Sequence, residues 1–403
     1  MEKRVIPFSP PDISESEINE VSEALRSGWI TTGLRVRKLE KRLAEYCHSS
    51  AFVCLNSATA AEELNLRMLG IKEGDEVIVP AYTYTASASA AIHCGATVRF
   101  IDCQKDSLEM DYQKMAEAIN EHTKAIIPVD LGGIICDYES IFGAVEARKH
   151  LFRPEGKLQQ ALGRAAVVAD CAHALGASRR GLMAGEIADF SSFSFHAVKN
   201  FTTAEGGGSC WKSMEGIDDD ELYHAYQLYS LHGQSKNALD KSRAGSWEYD
   251  ILGPWYKCNM TDVAAAMGLA QLDRYPAMQQ RRREIVEKYD EACDSLGIRH
   301  INHFGPDFTS SLHLYLIWLE GFDHQKRCDF INAMAKEGIA CNVHYKPLPM
   351  MTAYRNLGWD IADFPNACHH YENAVTLPLY SRLSDDDVEY VLLCLRKVYE
   401  RMR

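Results

Sequence analysis

The sequence predicts an α/β protein whose larger part is a mostly parallel β-sheet flanked by helices, followed by a smaller α+β domain. Short apolar runs alternate with helical stretches between residues 52 and 195. The runs are nearly continuous in apolar residues, which is typical of strands buried on both faces of a parallel sheet. The remainder of the chain mixes strands with helices without this regular alternation.

Residues 1–34 are interpreted as an N-terminal arm and helix. Ser14 and Glu17 have the spacing of a capping box, in which each satisfies a free amide of the other. Ile18, Val21 and Leu25 then fall on one helical face, and the helix is expected to end at Gly28. The next helix carries Val36, Leu39 and Leu43.

The large domain is predicted to span residues 35–250. Its strands are expected at residues 52–55, 77–79, 98–101, 125–129, 166–169 and 190–195. In such sheets ligands gather at the carboxyl ends of the strands, so the residues just after each run are the candidates for chemistry. The polar segment 218–249 gives no clear assignment.

The small domain is predicted to span residues 251–403 and to include a connecting helix. Thr261 is expected to cap that helix, which would run to about Glu291 with an interruption or bend at Pro276. Strands are expected at residues 312–319 and 340–343. Ser384 and Asp387 cap the last helix, whose buried stripe is Val388, Val391, Leu395 and Val398.

The composition excludes several classes of protein. Of 403 residues 46% are hydrophobic, which is too many for a disordered chain. The net charge of −13 makes a nucleic-acid partner unexpected, because an acidic surface repels phosphate backbones. No run approaches the roughly 18–20 apolar residues of a membrane helix, so no membrane contact is expected. The 13 cysteines form no CxxC pair and no signal peptide precedes them, which favours the reducing cytoplasm and no metal site.

Small and hydroxylated residues follow the first predicted strand. Ser57, Ala58 and Thr59 stand at a strand-to-helix turn, where backbone amides at a helix N-terminus can hold a phosphate. An ordinary N-cap explains the same residues when they are taken alone. Tyr84 follows the second strand, where an aromatic ring can stack on a planar ligand or belong to the core or its rim.

A carboxylate and an amine follow two later strands. Asp170 comes at the end of a buried strand and needs a cationic partner, either an arginine or the protonated ring nitrogen of a cofactor. Lys199 lies among aromatic and small residues before a glycine-rich turn, which favours a partly desolvated amine. Desolvation lowers the pKa of a lysine and makes it nucleophilic towards carbonyl carbons.

Together these features predict a cofactor site. A phosphate cradle, a stacking ring, a carboxylate for a ring nitrogen and an amine for an imine bond are the four contacts that pyridoxal 5′-phosphate (PLP) requires. Each feature alone has an ordinary explanation. The combination, in this chain order and at successive strand ends, favours PLP.

With these motifs the chain resembles the DegT/StrS-type sugar-nucleotide aminotransferases, which have the aspartate aminotransferase fold (fold type I). The resemblance runs nearly end to end, and the segment around Lys199 is its most specific part. It is carried by residues 27–33, 74–80, 170–174, 194–200, 260–262, 344–345 and the closing helix. It implies a seven-stranded, mostly parallel sheet in the large domain.

The resemblance also implies roles for individual side chains. Lys199 would bind PLP covalently and then shuttle a proton between cofactor and substrate carbons. Asp170 would hold the ring nitrogen, His173 would lie near the ring hydroxyl and Tyr84 would stack on the ring. The phosphate would be bound by Ser57, Ala58, Thr59 and Ser194.

Family members are homodimers with the site at the subunit interface. The partner subunit usually adds an asparagine to the phosphate, and Lys257 stands at that position here. A cation also suits a phosphate, so Lys257 is kept as a cofactor contact. Ala58 also departs from the family pattern, because family members commonly carry glycine at this position.

The reaction implied is transfer of an amino group from L-glutamate, leaving 2-oxoglutarate, to a keto nucleotide sugar. Residues 202–207 resemble members that aminate C4 of a 4-keto-6-deoxy sugar, in surface-polysaccharide or glycoconjugate biosynthesis. Relatives that remove a hydroxyl carry histidine in place of Lys199, so a dehydratase is not expected. Candidate sugar contacts, for which a packing role is equally compatible, are Trp29, Thr31, His313, His344 and Tyr345.

Three alternatives remain open. An aminotransferase of a free cyclic ketone, such as an inosose, would use the same residues. A non-catalytic PLP-binding regulator is disfavoured by the intact Lys199 and Asp170. A nicotinamide-dependent enzyme would need a GxGxxG turn after the first strand, and residues 56–59 do not form one.

Overall fold

A computed structural model describes residues 3–236, 238–241, 245 and 247–403, and the fold below refers to these residues. The helices are α1 (Glu15–Arg26), α2 (Leu34–Cys47), α3 (Ala58–Met68), α4 (Thr85–His93), α5 (Tyr112–Ala118), α6 (Tyr138–Arg148), α7 (Lys157–Leu162), α8 (Asp219–Ser230), α9 (Ala238–Lys241), α10 (Asp262–Leu296), α11 (His324–Lys336), α12 (Thr352–Asn356), α13 (Pro365–Asn373) and α14 (Asp385–Met402).

The strands form one large sheet and two small ones. They are β1 (Ala51–Leu55), β2 (Glu76–Pro80), β3 (Thr97–Ile101), β4 (Thr123–Ile126), β5 (Ala166–Asp170), β6 (Ser178–Arg179), β7 (Leu182–Met183), β8 (Phe190–Ser194), β9 (Gly207–Trp211), β10 (Arg299–His300), β11 (Phe308–Thr309), β12 (Tyr315–Trp318) and β13 (Ala374–Leu377).

The central sheet has seven strands in the order β1-β9-β8-β5-β4-β2-β3. All pairs from β8 to β3 are parallel, whereas β9 runs antiparallel to both β1 and β8. One apolar core lies on each face of this sheet. The α/β class and the mostly parallel seven-stranded sheet are therefore confirmed.

The six predicted strands all occur, but β9 was not predicted. Its sequence, Gly-Gly-Ser-Cys-Trp, lacks the apolar run that marks the other strands. The prediction of a strand at residues 340–343 is wrong, since this segment makes only a single bridge, between Asn342 and Thr376. The strand expected at 312–319 is confined to β12, because Leu312 has a left-handed φ of 58° that breaks the extended chain.

The helices follow their capping signals closely. The capping boxes at Ser14 and Ser384 are both present, and Thr261 caps α10. The polar segment after residue 218 contains α8, which is capped by Asp218. The chain is not interrupted at Pro276, since α10 continues through the proline to Leu296, and a bend there stays a prediction.

The apolar face of α1 differs from the one predicted. Ala24 and Glu17 are buried against the rest of the protein, whereas Ile18 and Leu25 are 49% and 56% exposed. Glu17 is held by Arg274 of α10, so the inward face of the helix is partly ionic. Two of the three apolar residues read from the sequence are thus largely exposed in the single chain, and the third, Val21, is half-buried.

The C-terminal region has its own core around the sheet β10-β12-β13. Helix α10 belongs to both regions, because Leu269 packs in a core of the central sheet and Ile285 packs in the C-terminal core. Ile6 also belongs to the C-terminal core, where it pairs with Ile339. The boundaries at residues 34 and 250 remain predictions. Among the described helices, none is both long and apolar enough to cross a membrane.

Candidate active site

A cavity of about 350 Å³ lies at the carboxyl ends of β5 and β8, beside the N-terminus of α3. It collects most of the residues that the sequence singled out. Those on its wall are Ser57, Ala58, Thr59, Tyr84, Asp170, His173, Ser194, Lys199 and Tyr345. These side chains come from separate parts of the chain, and the parallel sheet brings them to one edge.

Five predicted residues lie outside this wall. Of these, His313 is buried, Trp29 and His344 are half-buried, and Thr31 and Lys257 are exposed. Trp29 donates its indole N–H to the carbonyl of Thr32 at 3.2 Å, and Lys257 bonds to the side chain of Asn259. Roles for these five in binding remain predictions.

The N-terminus of α3 forms a cradle lined by backbone amides. Ser57 caps the helix by accepting from the amide of Ala60 at 3.1 Å. The amides of Ala58 and Thr59 make no hydrogen bond within the described chain, so both can bind an anion. Gly207 of β9 closes the cradle from below, and a Cβ there would lie 2.3 Å from the nitrogen of Ala58.

Asp170 ends β5 as a buried carboxylate with two donors. The hydroxyl of Ser87 donates to one oxygen at 2.7 Å, and the amide of Ala172 donates to the other at 3.1 Å. Burial nevertheless raises the pKa of Asp170. A buried carboxylate of this kind is stabilised by a nearby cation, which the protonated ring of PLP would supply.

Lys199 follows β8 in a turn in which its amide bonds to the carbonyl of His196 at 2.9 Å. Burial lowers the pKa of Lys199 to about 8, and the charge of Asp170 opposes this effect. An amine with such a pKa is partly neutral near pH 7 and can attack a carbonyl carbon.

His173 and two tyrosines complete the wall. The amide of Gly132 donates to Nδ1 of His173 at 3.2 Å, and the hydroxyl of Tyr345 lies 3.2 Å from Nε2. Burial lowers the pKa of His173 well below its usual value, so its ring is neutral. The ring of Tyr84 is 58% exposed and stands 5.8 Å from that of Tyr345, open to a stacked ligand.

Ser87 and Glu62 are among the residues of the site that the sequence did not single out. Ser87 lies in the first turn of α4, three residues after Tyr84, and that spacing could have indicated it. Glu62 lies one turn beyond Thr59 on α3 and lines the cavity, but neither of its buried oxygens has a partner in the described part of the chain. A carboxylate three residues after a phosphate cradle gives no signal of its own, because most such residues are solvated.

These groups match PLP in their chemistry. Free amides at a helix N-terminus suit the phosphate, a buried carboxylate suits a protonated ring nitrogen, and a desolvated lysine suits the aldehyde carbon. The lack of a side chain at Gly207 lets β9 lie against the start of α3, where a Cβ would clash with the nitrogen of Ala58.

Comparison with known proteins agrees with this match. A sequence model of the DegT/DnrJ/EryC1/StrS aminotransferase family matches residues 11–396. The chain belongs to this family. SpsC of Bacillus subtilis (strain 168), a spore coat polysaccharide biosynthesis protein, is 38% identical over 400 residues, which are 98% of this chain and 97% of SpsC.

Solved structures extend the DegT-family likeness to the whole fold. The PLP-form of Spr1654 from Streptococcus pneumoniae, described as a sugar aminotransferase, is 52% identical with a TM-score of 0.96, over 99% of this chain and 100% of that one. Its PMP-form is 53% identical with the same TM-score. PseC of Helicobacter pylori, an aminotransferase involved in the biosynthesis of pseudoaminic acid, is 26% identical with a TM-score of 0.84, over 99% and 100% of the two chains.

This DegT-family protein is therefore a PLP-dependent transaminase of fold type I. The PLP-form and PMP-form of one close relative are the two cofactor states between which a transaminase alternates.

Proposed function

We propose that this DegT-family transaminase moves the amino group of L-glutamate to a keto nucleotide sugar, most simply a 4-keto-6-deoxy sugar, in surface-polysaccharide or glycoconjugate biosynthesis. The observation that carries the proposal is a lysine amine with a lowered pKa and a buried carboxylate in one cavity. The name of SpsC supports the pathway class, and the resemblance of residues 202–207 to members that act at C4 supports that position.

Lys199 is the proposed catalytic group. Bound PLP supplies a carbonyl carbon that takes up and releases the amino group and a ring that accepts electrons from the substrate carbon. With a pKa of about 8, the Nζ of Lys199 can take a proton from the α-carbon of the donor and return one to the acceptor carbon. The same amine thus serves as base and as acid in the two half-reactions.

The other cavity residues are proposed to hold the cofactor. Asp170 keeps the ring nitrogen protonated, and Ser87 orients the carboxylate. The amides of Ala58 and Thr59 bind the phosphate with the help of Ser57 and Ser194, and Tyr84 stacks on the ring. His173 is proposed to present Nε2 to the ring hydroxyl.

Sugar recognition and assembly are proposed from the resemblance. Tyr345 reaches the cavity directly, whereas Trp29, Thr31, His313 and His344 are proposed sugar contacts that stand off its wall. We propose a homodimer in which Lys257 of the partner subunit reaches the phosphate. The cytoplasm is the proposed compartment, in keeping with thirteen free thiols.

The donor half of the reaction is tested without any sugar. The holoprotein mixed with L-glutamate alone is expected to lose its visible absorption and to release about one 2-oxoglutarate per site, because the first half-reaction is complete in itself. Lys199→Arg, which keeps the charge but not the reactive amine, is the matched control and is expected to release none. If glutamate changes neither the visible absorption nor the 2-oxoglutarate content of the wild type, glutamate is not the donor, and a PLP-binding regulator is favoured.

The acceptor half is tested by a panel of ketones added to the aminated protein. The panel contains 4-keto-6-deoxy and 3-keto nucleotide sugars with UDP, GDP and dTDP, and free keto cyclitols. Recovery of visible absorption with a 4-keto nucleotide sugar is expected. Recovery with 3-keto sugars only would overturn the C4 assignment, and recovery with cyclitols only would overturn the nucleotide-sugar proposal.

A further inference from the structure

His173 is held in the cavity wall from several sides. The amide of Gly132 donates to its Nδ1 at 3.2 Å, and the hydroxyl of Ser311 donates to its backbone carbonyl. Since Nδ1 accepts a hydrogen bond in a neutral ring, Nε2 carries the proton. The Nε2–H is therefore the donor that His173 offers towards Tyr345, 3.2 Å away, and towards the cavity.

His313 packs directly against this ring. The two ring centroids are 4.4 Å apart with an interplanar angle of 43°, and His313 is only 5% exposed. Burial, and then the proximity of His173, lowers the pKa of His313 well below its usual value. A neutral imidazole thus supports His173 from behind, and it stands off the cavity wall that a substrate would touch.

Asn200 fixes the orientation of His313. Its Oδ1 lies 2.9 Å from Nδ1 of His313, and because an amide oxygen only accepts, that Nδ1 carries the proton. The Nδ2 of Asn200 donates to the carbonyl of Ser311 at 2.6 Å. Both bonds come from the residue that follows Lys199, so the catalytic turn and the support of His173 are tied together.

The supporting segment has an uncommon backbone. Leu312, between Ser311 and His313, has a φ of 58°, a region that non-glycine residues rarely adopt. Such a conformation persists only where the surroundings determine it. Here the surroundings include Asn200 and the carbonyl of His173.

We propose that Asn200 and His313 are positioning residues that hold the Nε2–H of His173 against the ring oxygen of bound PLP. The inference rests on the proposed place of His173 beside the ring hydroxyl. It gives His313 a role on the cofactor side of the site, behind His173.

A donor at the ring oxygen has a measurable consequence. With PLP bound, such a donor would withdraw negative charge from the ring oxygen, and a proton held there would be released at a lower pH. If the donor is displaced, the pH at which the visible band of bound PLP changes must rise. The titratable groups that face His173 and His313 are Lys199, His344, Arg282 and the hydroxyl of Tyr345, and the variants of the test retain all four.

The test is a pH titration of the visible absorption of the holoprotein. His173→Phe removes the Nε2–H donor, and the rise that it causes in the midpoint pH of the titration is the largest shift expected. His313→Phe keeps a ring but loses the Nδ1–H, and Asn200→Ala loses its acceptor. Both are expected to raise the midpoint by roughly half a pH unit, less than His173→Phe does. In a His173→Phe background, His313→Phe is expected to add nothing, because the two act through one bond.

A matched control separates this effect from general loss of stability. His303 is fully buried in the same segment, bonded to Ser310 at 2.6 Å and to the carbonyl of Leu314 at 3.0 Å, and it does not line the cavity. His303→Phe is expected to lower the melting temperature and leave the midpoint unchanged.

The outcomes distinguish two failures. If His173→Phe leaves the midpoint unchanged, the proposed place of His173 beside the ring oxygen is wrong. If His173→Phe shifts it and His313→Phe does not, or if the two shifts add in the double variant, only the positioning role of His313 is overturned.

Discussion

Two buried carboxyl groups line the same cavity, but their surroundings differ. Asp170 accepts hydrogen bonds from Ser87 and from the amide of Ala172, whereas Glu62 has no partner for either oxygen within the described residues. Apart from its burial, only the charge of Asp170 acts on the pKa of Glu62, and both effects raise it. Two like charges in a dry site do not both ionise readily, so Asp170 carries the charge and Glu62 the proton.

Replacing Asp170 by asparagine tests its charge. The amide keeps the size of the side chain but cannot hold a proton on the ring nitrogen, so the electron-accepting power of PLP falls. Turnover is expected to fall by at least about a hundredfold, while PLP still binds through the cradle and Lys199. Single-turnover kinetics with glutamate and a PLP titration measure the two effects separately.

Asp189→Asn is the control for this change. Asp189 is as buried as Asp170, but it pairs with Arg164 and does not line the cavity. Its replacement should lower stability and leave the rate with glutamate within about twofold of wild type. Equal rate losses in both variants would make Asp170 a structural residue only.

Glu62→Gln is expected to stabilise the protein at alkaline pH. The pKa of Glu62 is raised well above 4.5 in the folded state, so the folded protein holds this proton more tightly than the unfolded chain does. Its contribution to stability is therefore greatest below pH 4.5 and falls as the pH rises. Urea unfolding of the holoprotein should show a gain for Glu62→Gln at pH 8 that shrinks towards pH 4.5.

The neighbouring Glu63 provides the contrast. Its carboxylate is paired with Arg67 at 2.9 Å and with His93 at 3.1 Å. Glu63→Gln removes these partners and should give no alkaline gain in stability. A Glu62→Gln variant that is no more stable at pH 8 than wild type would mean that Glu62 ionises without penalty.

At the scale of elements, the sequence predicts what local patterns encode. Apolar runs marked six strands of the sheet, and Ser14, Thr261 and Ser384 marked helix starts. The seventh strand, β9, was not predicted, because its residues are small and it is extended by pairing with β1 and β8 in the sheet. The buried face of α1 was not predicted for a similar reason, since it includes an ion pair between Glu17 and Arg274 of another helix.

The residues of the site likewise fall into those that local sequence predicts and those that depend on distant contacts. Residues at or shortly beyond the carboxyl ends of strands, such as Asp170 and Lys199, could be predicted because parallel strands end at a common edge. Glu62 could not be predicted, because its role depends on burial against Asp170, which no spacing reveals. The place of His313 behind His173 depends on a contact between segments 140 residues apart.

The fit of β9 beneath α3 gives a prediction at this scale. A Cβ on Gly207 would lie 2.3 Å from the nitrogen of Ala58 and 2.4 Å from the carbonyl carbon of Ser57, so Gly207→Ala must displace the cradle. We expect PLP affinity to fall by at least about tenfold, because the amides at the helix start no longer converge on the phosphate. Equilibrium dialysis of the protein with PLP measures the loss.

Gly208→Ala is the matched control on the same strand. A Cβ there would lie 2.3 Å from the ring of Phe52, a comparable clash on the opposite face of β9. This variant should lose stability without a comparable loss of PLP affinity. Equal losses of affinity in both variants would show that the cradle tolerates displacement and that the effect is a general one.

At the scale of the whole molecule, several apolar side chains are exposed in a single chain, and one cation stands off its cavity. Leu25 of α1 and Leu34 of α2 are 56% and 68% exposed, and Leu252 is 55% exposed. Contiguous apolar surface is typical of an interface between subunits, and the proposed homodimer would cover residues of this kind. Lys257, five residues after Leu252, stands off the cavity of its own chain, as a residue that serves a neighbouring subunit would.

Mixed dimers test whether each site is shared. If Lys257 of the partner subunit binds the phosphate, a dimer of one Lys199→Ala chain and one Lys257→Glu chain contains one intact site, since the two defects fall together in the other. Co-expression with random pairing should then restore roughly a quarter of wild-type activity at limiting PLP, although each variant alone is inactive there. If each chain supplied both lysines to its own site, every site would carry a defect and co-expression would restore nothing. Purification through two different tags isolates the mixed dimer, whose PLP stoichiometry and rate decide between these arrangements.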